Sequence, residues 1–327
     1  MSSFTLGIDI SKDKFDVALY DNERYQLGTF ENNKHGHQSL TKWLKKRQAK
    51  SARVCIEATG RYGEGVTTFL HERGYAVSVV NPARIKAYGA SQLKRNKTDL
   101  EDAKIIAHFC ATQKPQLWTP PPLEIQELQA LTRRLENLQK DRTREINRKK
   151  SGLKSPAVLQ TIEAHIAFLD EQITYVKQQI QDLIKSYPDL RNKRDLLTTI
   201  NGIGDITAAK FLAEVSDSSR FDSASELAAY AGLTPKNHHS GSSVYRQARL
   251  SKTGNIHFRT AFYMPALSAM THNPIVRALA QRLEKRGKKR MTIVAAAMRN
   301  LIHLAFGVLK TGLPFDPNYV VNMQETA

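Results

Sequence analysis

Four carboxylates in the first third of the chain combine residue type and spacing in a way that could do chemistry. Asp9 sits inside the apolar run Gly7-Ile8-Asp9-Ile10, and Glu57 closes Val54-Cys55-Ile56-Glu57. Asp99 and Asp102 stand three apart in Thr98-Asp99-Leu100-Glu101-Asp102-Ala103, which puts both on one helical face while Glu101 points elsewhere. Buried like charges are unfavourable unless a cation neutralises them. A pair of Mg²⁺ ions about 4 Å apart would do so, and would clamp the attacking and leaving oxygens of a phosphoryl transfer. Hard oxygen donors with open positions suit Mg²⁺, or Mn²⁺ in its place, better than zinc. Taken singly, Asp99 reads as a helix cap and Glu57 as a strand-end charge; the joint pattern is what points to a metal site.

The elements around these residues alternate. Phe4–Ile10 reads as a strand, Phe15–Tyr20 and Tyr25–Phe30 as a hairpin about Asp21-Asn22, and Ala52–Ile56 as a buried strand ending at Glu57. Helices are predicted near Ser39–Gln48 and over Tyr62–Arg73, the second stopping at Gly74, before a strand over Tyr75–Val80 closed by Asn81-Pro82. Three leading strands followed by alternating helix and strand predict a mixed five-stranded sheet flanked by helices. With its Asp-Glu-Asp-Asp set, that is the order of the α/β ribonuclease-H-like fold. Gly7-Ile8-Asp9-Ile10-Ser11-Lys12 also resembles the first phosphate loop of actin-like and sugar kinases, but Ser11 stands where those carry glycine.

The Pro-rich stretch Pro115–Pro122 marks a boundary. Beyond it Leu128, Leu131, Leu135 and Leu138 recur at helical spacing, and Ile162, Ile166, Leu169, Ile173, Val176, Ile180 and Leu183 resume the pattern. Steps of four and three are a coiled-coil seam. Joined by a basic loop (Arg148, Lys149, Lys150, Lys154) and ended by Pro188, the two helices read as an antiparallel hairpin or dimerisation arm. The remainder is expected to be mostly α-helical. These boundaries give three segments, 1–119, 120–190 and 191–327.

Charge selects the partner. Lys and Arg number 49 against 31 Asp and Glu, a net +18 over 327 residues that are 41% hydrophobic. The chain can bury cores, which excludes a disordered basic tail, and its cations favour nucleic acid. Mean hydropathy of -0.45 and the lack of an uninterrupted apolar run of spanning length argue against a membrane partner. No apolar stretch of signal-peptide length opens the chain, so a cytoplasmic protein is expected. Cys55 and Cys110 are too few for a disulfide framework or zinc ribbon.

Two further motifs lie in the second half. Asn201-Gly202-Ile203-Gly204-Asp205 looks like the turn of a helix-hairpin-helix module, where Gly202 and Gly204 would let backbone amides face a DNA phosphate. The tract His238-His239-Ser240-Gly241-Ser242-Ser243 precedes Arg246, Arg249, Lys252 and Arg259. A serine oxygen beside such cations could attack a phosphodiester; equally, the tract could be a Ser/Gly loop that grips the backbone passively. Ser240, Ser242 and Ser243 are equivalent on spacing alone. The histidines lack a third ligand and are not read as metal-binding. The cationic run Arg282–Arg290 reads either as a solvated face or as a phosphate contact.

Gly7-Ile8-Asp9, Ile56-Glu57-Ala58-Thr59-Gly60, Asn81-Pro82, Asn96-Lys97-Thr98-Asp99 with Asp102, Gly202-Ile203-Gly204, Ala231-Gly232-Leu233-Thr234-Pro235 and Ser240-Gly241-Ser242-Ser243 follow in this order. Together they resemble the DEDD transposases of bacterial insertion sequences, related to the Piv-type DNA invertases, nearly end to end. The resemblance implies a RuvC-like N-terminal domain, a coiled coil and a C-terminal transposase domain. It implies that Asp9, Glu57, Asp99 and Asp102 hold Mg²⁺, and that Ser240 joins covalently to DNA. Members studied use a structured guide RNA, the bridge RNA, to pair with target and donor double-stranded DNA. They act as homo-oligomers, a dimer or a tetramer in synapsis, with a site shared between subunits. Such a protein is nucleoid-associated when active. Two other classes stay open: a RuvC-like junction nuclease using water, and a non-catalytic nucleic-acid scaffold.

Overall fold

The computed structural model describes residues 4–58, 60–92, 98–215, 220–240 and 244–318, with the backbone alone at 61, 236–240 and 244–249. The chain divides into two compact units, Met1–Pro120 and Pro121–Ala327.

In the first unit, β1 (Thr5–Ile10), β2 (Lys14–Tyr20), β3 (Tyr25–Glu31), α1 (Lys34–Lys46), β4 (Arg53–Glu57), α2 (Arg61–Glu72), β5 (Ala76–Val80), α3 (Pro82–Ser91) and α4 (Asp99–Gln113) follow in order. The strands form the mixed sheet expected, in the order β3-β2-β1-β4-β5. β1 and β2, and β2 and β3, run antiparallel, whereas β4 lies parallel to both β1 and β5. Alternation along each strand separates two faces. Leu6, Ile8, Phe15, Val17, Val54 and Ile56 form one core with Leu40 and Leu44 of α1 and Val66 and Leu70 of α2. The other face carries Gly7, Ala18 and Cys55, and α4 lies on it through Ala103, Ala107, Ile106 and Cys110.

α1 begins earlier than the apolar spacing indicates. The Asn33 side chain caps it by accepting from the Gly36 amide at 2.9 Å, and His37 of the first turn packs between Phe15 and Phe69. Those polar residues hid the first turn.

The second unit contains α5 (Leu123–Lys150), α6 (Pro156–Ser186), α7 (Pro188–Thr198), α8 (Asp205–Glu214), α9 (Ala224–Tyr230), β6 (Pro235–Ser240), β7 (Val244–Leu250), α10 (Ile256–Ala261), α11 (Tyr263–His272), α12 (Pro274–Lys285) and α13 (Arg290–Thr311). α5 and α6 run in opposite directions, because Arg142 pairs with Asp170 at 2.5 Å and Lys149 with Glu163 at 2.7 Å. Leu128, Leu135 and Leu138 meet the α6 residues Leu169, Ile173, Val176 and Ile180 in a core that continues into α8 and α13. Arg148, Lys149 and Lys150 belong to the last turn of α5 rather than to a loop, where cations complement the helix dipole. Pro188 opens α7 as well as ending the arm. α13 is long and apolar enough to cross a membrane by composition, with a mean hydropathy of 1.6 over its most apolar stretch. Its Leu301, Ile302 and Ala305 are nevertheless wholly buried in the unit's core.

The approach of α4 to β1 is close enough to exclude a side chain at residue 7. A Cβ there would overlap the Ala103 carbonyl oxygen and the Ala107 amide nitrogen. Gly7→Ala should therefore destabilise the protein by about 1–3 kcal/mol, the usual effect of overpacking, read as a lowered thermal midpoint.

Candidate active site

The close packing of Gly7 brings the sequence-predicted acids to one face. Asp9 lies two residues beyond Gly7 and so projects to the side that α4 covers. β1 pairs with β4 as far as Ile8 opposite Ile56; continuing that register one residue sets Asp9 level with Glu57. Glu57 shares the parity of Cys55 and faces the same way. α4 runs opposite to β1, since Ala103 sits over Gly7 while the Ala107 carbonyl accepts from the Thr5 hydroxyl at 3.2 Å. Its N-terminal turn, with Asp99 and Asp102, thus emerges at the end of β1 that carries Asp9.

That turn is built to hold negative charge. Thr98 caps it by accepting from the Glu101 amide at 3.2 Å, and Asp99, Glu101 and Asp102 occupy the positive end of the helix dipole. Glu101 is drawn aside by Lys104 at 2.5 Å.

Asp9 records the result. Its carboxyl pKa is pushed up from 3.8 to about 6, first by burial and then by the charges of Asp102 and Asp99. Sequence reading missed a further acid, Asp16, which pairs directly with Asp9 across the antiparallel β1–β2 ladder. Asp16 is buried, yet it accepts from the Thr29 hydroxyl and from the Lys14 ammonium at 3.2 Å. Lys14 also reaches Asp99 at 3.5 Å. Only the cross-strand register could have revealed Asp16, as its sequence setting Phe15-Asp16-Val17 is that of any half-buried strand.

The oxygen-only donor set and the burial of Asp9 among other carboxylates suit a hard divalent cation better than a soft one. Among the described residues, no three His, Cys, Asp or Glu side chains are gathered tightly enough to hold a metal ion. The carboxylates share a face without forming a closed cage.

The other expected residues lie in the second unit. Ser240 is the last residue of β6, whose described ladder pairs it with Val244 of β7. Ser240 thus closes one strand of a two-stranded ribbon; the alternation of Val244-Tyr245-Arg246-Gln247-Ala248-Arg249-Leu250 was the signal for its partner strand. Arg246 and Arg249 belong to β7. Ser242 and Ser243 lie outside the described residues, as do Thr59 and Asn96-Lys97. Lys252 is exposed just past the ribbon, whereas Arg259 turns inward and donates to the backbone carbonyls of Ala231 and Lys252, each at 3.1 Å. Gly202 has φ +106, and a Cβ on it would stand 2.8 Å from that of Ala269, so packing against α11 already demands glycine. Gly204 sits open at the start of α8. Arg282, Lys285, Arg286, Lys288, Lys289 and Arg290 are exposed around the α12–α13 turn.

Comparison with known proteins covers both units. Residues 6–156 match the family model of the DEDD-type IS110 transposases, and residues 194–281 that of the transposase IS116/IS110/IS902 family. The chain is 34% identical over 319 residues to the pilin gene-inverting protein of Moraxella bovis, covering 97% of this chain and 98% of that one. It is 25% identical to the transposase for insertion sequence element IS1111A of Coxiella burnetii, over 82% of this chain and 78% of that one.

The raised Asp9 pKa carries a sign. A carboxyl that holds its proton more tightly when folded stabilises the fold relative to its ionised form below the unfolded value of 3.8, and that advantage is lost as pH rises through about 6. In EDTA, Asp9→Asn should therefore melt higher than the parent at pH 7, and the gap should close as pH falls from about 6 towards 3.8.

Proposed function

We propose, from the premise that this chain belongs to the IS110 family of DEDD transposases and is a DNA transposase or recombinase, that it exchanges DNA strands through a covalent phosphoserine link at Ser240. The observation that supports this most is the convergence of Asp9, Glu57 and the first turn of α4 on one sheet face, with Asp9 held up by its acidic neighbours. Asp9, Glu57, Asp99 and Asp102 would hold divalent ions, Mg²⁺ by preference. Bound there, such ions supply positive charge to the phosphate oxygens and to the departing oxygen.

The chain's own residues do the rest. The Ser240 hydroxyl oxygen bonds to phosphorus while the bond from phosphorus to the leaving deoxyribose oxygen breaks. The serine proton passes to a base or water, and the freed strand end takes up a proton as a hydroxyl. One phosphoester replaces another, so the link conserves the energy needed to rejoin a different strand, and no nucleotide cofactor is required. Arg246, Arg249 and Lys252 offset the charge of the phosphates entering with the substrate. The first unit takes the ribonuclease-H-like role, and α5 with α6 serves as a coiled-coil arm that pairs subunits. Acids of one subunit then act with the serine of another, in a dimer that becomes a tetramer in synapsis.

A net charge of +18 fits a protein that holds more than one polyanion at once, here donor and target DNA and a structured guide RNA. The Moraxella relative is named for inverting a gene. In this chain the same strand exchange would yield inversion or insertion according to how the two sites are oriented and linked.

The test is to recover covalent protein–DNA adducts under denaturing conditions from cells carrying a plasmid with this gene in its native flanking DNA. The parent should yield adducts; Ser240→Ala and Asp102→Asn should each lower them by about a thousandfold or more. A Ser240→Ala protein that still cuts would mark a nuclease using water, and an Asp102→Asn protein with unchanged strand breakage would mark a scaffold. RNA that copurifies with the parent, once sequenced, should map to the DNA flanking the gene.

A further inference from the structure

We propose that Arg259 is a positioning residue for strand exchange: its guanidinium joins the two chain segments at the base of the β6–β7 ribbon and so fixes where Ser240 is presented. This rests on the reading of Ser240 as the nucleophile.

A two-stranded ribbon is marginally stable by itself and takes its orientation from whatever holds its base. Here the base is unusually well tied. The Ser251 amide donates to the Thr234 carbonyl at 2.9 Å, the Lys252 amide to Gly232 at 3.1 Å, and the Asn255 amide to Tyr230 at 2.7 Å. Across this closure a single Arg259 nitrogen, Nη1, donates to Ala231 on the incoming chain and to Lys252 on the outgoing one.

The backbone is shaped around that contact. Gly232 has φ +71, and a Cβ there would come within 2.7 Å of Arg259 Nη1. Lys252 takes φ 55, an uncommon left-handed conformation for a side-chain-bearing residue, and its carbonyl is one of the two that accept from Arg259. Gly254 passes so close to the Tyr230 carbonyl that a Cβ would overlap it.

Arg259 is itself rooted. It lies on α10 beside Phe258, which is wholly buried with ring centroids 5.2 Å from Phe211 and 5.3 Å from Phe262. Asn255 caps α10 by accepting from the Phe258 amide at 3.0 Å, and its side-chain amide donates to Glu214 at 2.7 Å and the Tyr230 hydroxyl at 3.0 Å. A rigid aromatic core is thus linked through one guanidinium to both strands.

Leverage makes the base decisive. Ser240 lies six positions beyond Thr234, about 20 Å at the rise of a strand. A tilt of about 10° at the base then swings Ser240 by about 3.5 Å, whereas in-line attack tolerates misplacement of about 1 Å. Reading Arg259 as one more phosphate-binding cation leaves its two carbonyl contacts unexplained.

The experiment uses the full chain with Arg259→Gln and Arg259→Lys, reading hydrogen exchange of the β6 and β7 amides, adducts on the plasmid described above, and retention of that plasmid in a gel shift. For Arg259→Gln, ribbon amides should exchange about tenfold faster and adducts should fall about tenfold or more, with exchange in α8 and α13 and plasmid retention unchanged. Arg259→Lys keeps the charge but replaces the planar guanidinium with a shorter-reaching ammonium; both readouts should lie between parent and Gln, moving together. If Arg259→Gln does not fold, Arg259→Lys is read alone by the same rule. Parent-like ribbon exchange in either variant overturns the proposal, as does an Arg259→Lys protein with parent-level adducts and a loosened ribbon, since charge alone would then suffice. Failure of the Ser240 reading looks different: adducts persist in Ser240→Ala while the ribbon of Arg259→Gln still loosens.

Discussion

The first unit depends on one steric constraint, the absence of a side chain at Gly7. Helices usually rest on sheets through layers of large apolar residues, as α1 and α2 do here over Leu6, Ile8, Phe15 and Val54. On the opposite face Gly7, Ala18, Ala103 and Ala107 replace that layer, and backbone nearly meets backbone. A helix held this close has little freedom to slide or rotate. Its first turn is therefore delivered to the end of β1 and β4, and carboxylates distant in sequence come to share one electrostatic environment. The raised pKa of Asp9 follows from that packing.

The second unit solves a comparable problem with different means. Its core is a continuous apolar body from the α5–α6 seam through α8 to α13, and β6 and β7 form a separate two-stranded sheet that ends at Ser240 and Val244. Rigidity is supplied where the ribbon leaves the core, by backbone closure and one guanidinium. In both units a candidate site residue stands at the end of an element whose far part is held by close packing.

How much of this could be read in the sequence depends on the range of the cause. The strand order and the candidate acids were legible, because apolar runs punctuated by Gly7, Gly60 and Asn81-Pro82 are local signals. The buried seam of α5 and α6 was legible for the same reason. The start of α1 was not, since its first turn is stabilised by an Asn33 cap and a buried His37 rather than by apolar spacing. Asp16 was invisible until register set it against Asp9. The serine ribbon was obscured because Ser, Gly and His around residue 240 signal a loop, while the pairing that makes it a ribbon lies in the next strand. Arg259 looked like a member of a cationic row, and only the fold shows that its partners are carbonyls on two chain segments it joins.

Asp9 and Asp16 show how two paired acids can meet opposite electrostatic surroundings. Both project from neighbouring strands to the same face, directly paired. Asp16 is supplied with a hydroxyl from Thr29 and an ammonium from Lys14. Asp9 is surrounded instead by Asp102, Asp99 and Asp16, each of which makes its ionised form less favourable. A fold selected for stability alone would have placed a second lysine or an amide there. The difference lies in the partners the fold supplies: Asp16 has a hydroxyl and an ammonium, whereas Asp9 has a backbone hydrogen bond at Ile10 and three carboxylates around it.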